Sequence, residues 1–470
     1  MSDAQPRLDL GPSRQLAAAL ADWCGRDRAR LAEVLAAADA RLGQHDKSFG
    51  GLKNLSVALS ALLLDAADVA ALRQTAERLF AIVDRVVGWI LASPERSERL
   101  AGDYRRIFPY LAKTPGARYW QAISRYDAVV AEDGRIRIIE LNTGCPAGFM
   151  HAAAFTKTTG TALGELGVLG DAARMPATIR ATALVDGLIE IERAATAAGS
   201  VEPGLAVLLT DENRLTHELD LMLDDFASRG RIARIAPAEE LAFDGRRATH
   251  RGQPISLTYD KFRISVPTSR NHCWRDGFDV RYAAFLAAQK AGAFAAVNNL
   301  AAQSIAEDKS LLGILALPET AELMSEAERQ FVADNVLWTA RLQPGRVVRD
   351  GAEIDLLAYV AGHQDEFVIK PTSEGRGYGV VIGRECPRDE WQTLCAVDPA
   401  TPRVVQDYVE PAKLSVVCDG DSGLAVREMY LTLGLATVNG RYEGVLSRIS
   451  PSRITNVARQ GFVQAVLANS

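Results

Sequence analysis

At 470 residues the chain is too long for one ordinary core, so two or three packed units are expected. Its 48% hydrophobic and 24% charged content is that of a soluble globular protein, and a net charge of −6 gives no basic footprint for nucleic acid. No apolar stretch of about 20 residues is free of charge, so no membrane span is expected. The opening MSDAQPRLDLGPSRQ lacks the basic and apolar regions of a signal peptide, and six scattered cysteines with no CxxC pair read as reduced thiols of a cytoplasmic protein.

Residues 1–112 read as mainly helical. Leu79, Ile82, Val83, Val86, Val87 and Ile90 recur at helical spacing, and Ser93-Pro94-Glu95 is a helix start. No chemistry is visible there, so these helices read as a packing layer or a homodimer interface. The pattern then changes. Asp127–Val130 and Ile136–Ile139 are strands joined by Glu132-Asp133-Gly134, a strong hairpin turn. A helix is expected over about 178–198. Leu205–Leu209 has the continuous apolar character of a buried parallel strand, followed by an amphipathic helix from Glu218 to Gly230 and a strand over Arg231–Ile235. The strand Ile255–Tyr259 runs into Asp260-Lys261-Phe262-Arg263, a charged group where open α/β sheets present their sites. Farther on, FVIKPTSEGRGYGVVIG (367–383) reads as strand, glycine loop, strand, and the tail from Leu424 to Asn456 is rich in strand pattern.

Five groups of residues carry candidate chemistry. Lys370 ends an apolar strand before Gly375, Gly377 and Gly379; glycines let backbone N–H groups approach an anion, and the lysine adds charge. The order argues against a protein kinase, in which the lysine follows the loop, and no GxxxxGK[ST] is present, so this is not a P-loop. Lys309 opens a helix and is, alone, unremarkable. Gln406-Asp407-Tyr408-Val409 follows a strand and could offer backbone groups to a base edge. Arg125, Asp127, Glu140 and Asn142 lie on the hairpin; two carboxylates and an amide oxygen suit a hard cation such as Mg²⁺, although a salt-bridged hairpin needs the same residues. Arg427 and Arg448 lie on tail strands, where arginines clamp anions or form structural ion pairs. The histidines show no metal spacing, and GxSxG is absent.

Taken in order (Arg125-x-Asp127, Glu140-x-Asn142, Lys309, Lys370 with its glycine loop, then Gln406 to Val409), these pieces resemble the ATP-grasp superfamily, in particular its circularly permuted, glutathionylspermidine synthetase-like branch. The resemblance covers about 120–460. It implies an α/β (α+β) ATP-grasp fold: a helical N-terminal region (1–115), the hairpin with metal-ligand residues plus helices (116–200), a pre-ATP-grasp-like α/β substrate domain (201–295) and a nucleotide-binding domain (296–470). It implies ATP and Mg²⁺ as cofactors, with Asp127, Glu140 and Asn142 on the metal. Lys309, Lys370, Ser373, Gly375, Arg376, Gly377, Gly379, Gln406, Tyr408 and Val409 would hold the nucleotide, and Arg125, Arg427 and Arg448 would act at the reacting groups. Asp260, Lys261, Arg263, Ser269, Arg270 and Asn456 would meet the substrate.

The implied chemistry is ATP-dependent joining of a small-molecule carboxylate, an amino acid or small peptide acid with a γ-glutamyl group as one candidate, to an amine through an acyl phosphate. The cysteine amidase that some members of this branch carry has no counterpart, because Cys24 and His45 are merely near in sequence. An ATP-grasp phosphotransferase and a non-catalytic nucleotide-binding regulator stay open. The regulator would have lost a metal ligand or lysine, and all five are present.

Overall fold

In the computed structural model the described residues are 6–43, 57–114, 116–144, 146–169, 174–199, 201–210, 216–261, 277–373, 375, 377–398, 401–419, 423–455 and 461–469. They form a mixed α/β structure around three main sheets.

The largest sheet has eight strands. Its path runs Ala61–Leu64, Phe462–Asn469, Arg441–Ser450, Ala425–Val438, Ile123–Val130 and Ile136–Asn142, with Lys413–Cys418 beside Ala425–Val438 and Arg174–Pro176 beside Phe462–Asn469. The expected hairpin and the β-rich tail are therefore neighbours in one sheet. Helix Ala66–Leu91 packs against it. Asp65 and Asp68 form a reciprocal capping box at the start of this helix, and Leu72, Leu79, Phe80, Val83, Val86, Val87 and Ile90 fill the buried stripe. Phe149–Glu165 also packs against the sheet, along Phe462–Asn469. The N-terminal region is thus not helical alone: Ala61–Leu64 is a buried strand, paired in parallel with Phe462–Asn469 from Ala61 opposite Ala465. The helix-rich surroundings of this four-residue apolar run hide it from periodicity.

The second sheet holds Leu205–Thr210, parallel to both Ala233–Pro237 and Gln253–Asp260, with Ala295–Val297 parallel to the last. Helices Ala183–Ala197, Thr216–Ser228 and Ala283–Ala291 pack around it. Such crossover units bury a strand on both faces, which is why Leu205–Thr210 is fully buried.

The third sheet runs Thr339–Arg341, Arg403–Asp407, Phe367–Pro371, Val381–Ile382. One face has its own core of Leu356, Val360, Phe367, Ile369, Trp391 and Val405. Side chains alternate along each strand, so the register that sets Val368 opposite Gln406 and Lys370 opposite Val404 puts Lys370 and Gln406 on the other face. That face meets the large sheet, and the candidate site lies there. Among the described residues no helix is long and apolar enough to cross a membrane, and Cys24, Cys386, Cys395 and Cys418 are free thiols.

Candidate active site

The hairpin Ile123–Val130/Ile136–Asn142 fixes the first half of the site. Gly134 takes φ +80° in its turn, a conformation open to glycine. The register then sets Arg125 opposite Asn142 and Asp127 opposite Glu140. Directly opposed residues share a face, as do residues two apart, so all four side chains stand together. The register shifts after Asp127, with Ala128 opposite Ile138, which leaves Ile139 as the extra residue of a bulge. Its carbonyl accepts from Lys370 Nζ at 3.3 Å, joining the third sheet to the first.

Asp127 is the electrostatic centre. Its Oδ1 lies 2.9 Å from Arg125 Nε and its Oδ2 2.7 Å from Arg448 Nη2, with all three side chains largely buried. Burial alone would raise the Asp127 carboxyl, but the Arg125 and Arg448 guanidiniums outweigh it and hold the group below its ordinary range. Glu140 lies 3.0 Å from Lys309 Nζ, and the Lys309 N–H donates to the Thr372 carbonyl at 2.9 Å, at the foot of the glycine loop. Lys370 donates to Gln406 Oε1 at 2.6 Å, and Gln406 Nε2 donates to Thr339 Oγ1 at 3.0 Å. Burial pulls the Lys370 ammonium down to about 8, against the pull of Glu140 and with a further push from Lys309. Four cations (Arg125, Arg448, Lys309, Lys370) thus stand with two carboxylates (Asp127, Glu140), a surplus of positive charge within this largely buried group.

Gly434, opposite Asp127 on the neighbouring strand, makes room for this arrangement. A Cβ there would stand 2.7 Å from Arg125 Cδ. Gly434→Ala is expected to displace the arginine and lower stability by about 1–3 kcal/mol in urea unfolding, the usual cost of overpacking; an unchanged midpoint would show that the arginine side chain yields freely. Glycine inside an apolar strand is a readable sign of close approach, and it is the signal that finds this residue in the sequence.

The remaining expected residues are placed as follows. Gly377 and Gly379 take φ +69° and +67°, and Gly379 packs so closely on Pro371 that a Cβ would be 2.7 Å from its Cγ. The Tyr378 N–H donates to the Gly375 carbonyl at 3.2 Å, and Ser373 leads into this turn. Tyr408 and Val409 line a cavity of about 320 Å³ with Arg137, Arg349, Glu366 and Asp407, whereas Gln406 points away from it to Lys370. Lys261 pairs with Glu218 at 2.6 Å, and Asp260 is wholly buried, where desolvation raises its carboxyl well above the ordinary range. Arg427 is not brought to this group: it is exposed, opposite Val416, seven residues along the strand from Gly434. Arg263, Ser269, Arg270, Arg376 and Asn456 lie outside the described residues.

Glu218 escaped sequence reading, since an acid in the first turn of a helix is ordinary. Its carboxylate accepts from the backbone N–H groups of Gly148 and Met150 at 2.9 and 3.2 Å, at the N-terminus of helix Phe149–Glu165. Burial opposes its ionisation, but Lys261, then His151, outweigh burial and bring it down to about 2. The Arg125 Nη1 group donates to the adjoining Ala147 carbonyl at 2.5 Å, so this loop connects the second sheet to the arginine of the first.

No family model matches the chain, and no curated protein matches it either. Among solved structures it is similar to a glutathione synthetase-like effector from Globodera pallida in its apo form, at 12% identity and a TM-score of 0.56, over 93% of this chain and 96% of that one. That likeness shows the fold: a mixed α/β, ATP-grasp-like arrangement, as expected from the order of the motifs. A Methylobacillus flagellatus protein described as a candidate gamma-glutamylcysteine synthetase matches at 11% identity over 83% of this chain and 88% of that one, with a TM-score of 0.40, which carries no argument.

Proposed function

We propose that the chain is an ADP-forming ligase that joins the carboxylate of an amino acid or small peptide acid to an amine. One observation carries this reading: buried Lys309 and Lys370 together face the hairpin and meet Arg125, Arg448, Asp127 and Glu140 beside a glycine loop. A group with more guanidinium and ammonium than carboxylate is built for a polyanion, and a phosphate chain is the polyanion that a glycine loop covers. The ATP-grasp-like fold supports the same reading, and its neighbour is named as glutathione synthetase-like.

The donor set fits a magnesium nucleotide. Asp127, Glu140 and Asn142 would hold the cation, which prefers oxygen ligands and keeps phosphates as partners. Asn142 Nδ2 is buried without a partner, a donor that a phosphate oxygen would satisfy. Which amide atom faces the site is interchangeable in assignment. The cation would supply neutralisation of the phosphate charge.

The protein's own groups then do the following. Lys309 and Lys370 hold the phosphates. Arg125 and Arg448, released from Asp127 as phosphate oxygens arrive, balance the charge of the group in transfer. An oxygen of the substrate carboxylate bonds to the terminal phosphorus while the bond to ADP breaks. The amine then bonds to the acyl carbon, phosphate leaves, and the amine loses its proton. Gly377 and Gly379, in their positive-φ turn beside Pro371, would lie next to the acyl phosphate and help keep out water.

The test is release of ADP and phosphate from magnesium ATP with amino acids and small peptides, singly and in pairs, with mass spectrometry of the products. A pair-dependent product heavier by one condensation supports a ligase. ADP with one substrate and a stable phosphorylated product would overturn it. Glu140→Gln serves as the control, with turnover expected to fall about a thousandfold, the size of losing one preorganised electrostatic group; retained turnover would remove Glu140 from the site.

A further inference from the structure

The N-terminal helices, which sequence reads as a packing layer or dimer interface, reach into the nucleotide side of the site. Tyr104, on the 3₁₀ helix Gly102–Tyr110, is buried, and its hydroxyl donates to Asp308 Oδ2 at 2.6 Å. The other carboxylate oxygen, Oδ1, accepts from the Ser310 N–H at 2.7 Å and from the Ser310 hydroxyl. Both Asp308 oxygens are thereby fixed. Lys309, the next residue, is the N-cap of helix Ser310–Ile314, with its N–H on Thr372 and its ammonium on Glu140. Burial, then the Asp308 charge, keep the Tyr104 phenol protonated and therefore a donor.

The same N-terminal surface is tied to the segment that follows Lys309. Arg99 pairs with Glu319 and Arg85 with Glu328, each through two contacts, and Asp103 pairs with Arg341. These pairs are partly exposed and individually weak. The Tyr104–Asp308 bond is the buried one, and it lies beside the lysine.

We propose that Tyr104 is a positioning residue that, through Asp308, sets the Lys309 ammonium for nucleotide phosphate. This rests on the ligase reading only in giving Lys309 a phosphate to hold.

The test is magnesium ADP binding to the full chain by calorimetry, with Tyr104→Phe, Lys309→Ala and the double variant. Tyr104→Phe is expected to weaken ADP binding about tenfold, as for losing a hydrogen bond to a charged group. In the Lys309→Ala background the same change is expected to weaken it no further, because the two act as one unit. A merely structural tyrosine would give equal losses in both backgrounds, and that result overturns the proposal, as does an unchanged affinity. Ser310→Ala, which removes the hydroxyl from the other Asp308 oxygen and leaves the backbone N–H on it, is the second variant should Tyr104→Phe not fold. It is expected to weaken ADP binding in the same direction, and an unchanged affinity there also overturns the proposal. Wild-type protein that binds neither ADP nor ATP would remove the ligase reading and this one together. Normal wild-type binding with an indifferent Tyr104→Phe removes this one alone.

Discussion

Lys370→Met is expected to stabilise the ligand-free protein and to cost it its nucleotide. Burial moves the ammonium from 10.5 to about 8, so holding it charged in the folded state costs roughly 3 kcal/mol at neutral pH. Methionine has a similar reach and no charge. Gln406 Oε1 and the Ile139 carbonyl would each lose a donor, which returns about 1 kcal/mol apiece. The net expectation is a gain of roughly 1 kcal/mol in urea unfolding at pH 7.

The sign with pH follows from the depressed value. Between about 8 and 10.5 the unfolded chain binds a proton that the folded chain does not, so wild-type stability rises with pH through this window. The variant lacks that rise, and its advantage is complete below about 8 and gone above 10.5. ADP affinity should run the other way. Phosphate favours the charged lysine, so wild-type affinity is flat below about 8 and falls above it. The variant binds about a hundredfold more weakly at pH 7 and shows no such fall, the loss being that of a charge-assisted contact in a buried site. A variant less stable than wild type at pH 7, or one that binds ADP normally, would break this account of the lysine.

Asp127→Ala is expected to act in the opposite sense on stability. It leaves Arg125 and Arg448 buried without their shared counter-ion, and breaking a buried pair from one side costs about 3–5 kcal/mol. The folded-state value of Asp127 lies below its ordinary 3.8. Its contribution is therefore present above that pH and is lost as pH falls through the folded value. The acid limb of wild-type unfolding should be shallower in the variant. Adding Arg448→Met to Asp127→Ala should restore part of the loss, because it removes one unpaired charge. No loss in the single variant, or no recovery in the double, would show that the triad is solvated.

The two variants differ because the site is charged unevenly, and part of that unevenness was legible. Arg125 with Asp127, and Glu140 with Asn142, could each be placed on one face of its strand because Asp133-Gly134 dictates a hairpin and side chains alternate; the bulge at Ile139 is what brings the two pairs to the same face. Lys370, at a strand end before three glycines, carries a weak mark that a plain hairpin shares, and it was the order of the motifs along the chain that singled it out. What sequence hid was long-range. Arg427 and Arg448 are both arginines on strands; only the pairing of Thr432 with Arg448, and of Arg427 with Val416, separates the one at the site from the exposed one. Glu218 and Tyr104 carry no local mark, since their partners Lys261 and Asp308 are far along the chain. The bulge at Ile139 is a feature of the pairing between the two hairpin strands, and no residue type at that position announces it.

The parallel pairing of Ala61–Leu64 with Phe462–Asn469 also bears on how the protein comes into being. About 400 residues separate the partners, and at roughly 5–20 residues per second a ribosome needs on the order of 20–80 seconds to deliver the second strand after the first. Through that interval Ala-Leu-Leu-Leu is an apolar edge with no native neighbour, so nascent chains that stall or are cut short are the ones exposed to self-association. Closing the large sheet is therefore a late event, and a chaperone that shelters the first hundred residues during synthesis would act where this topology is weakest.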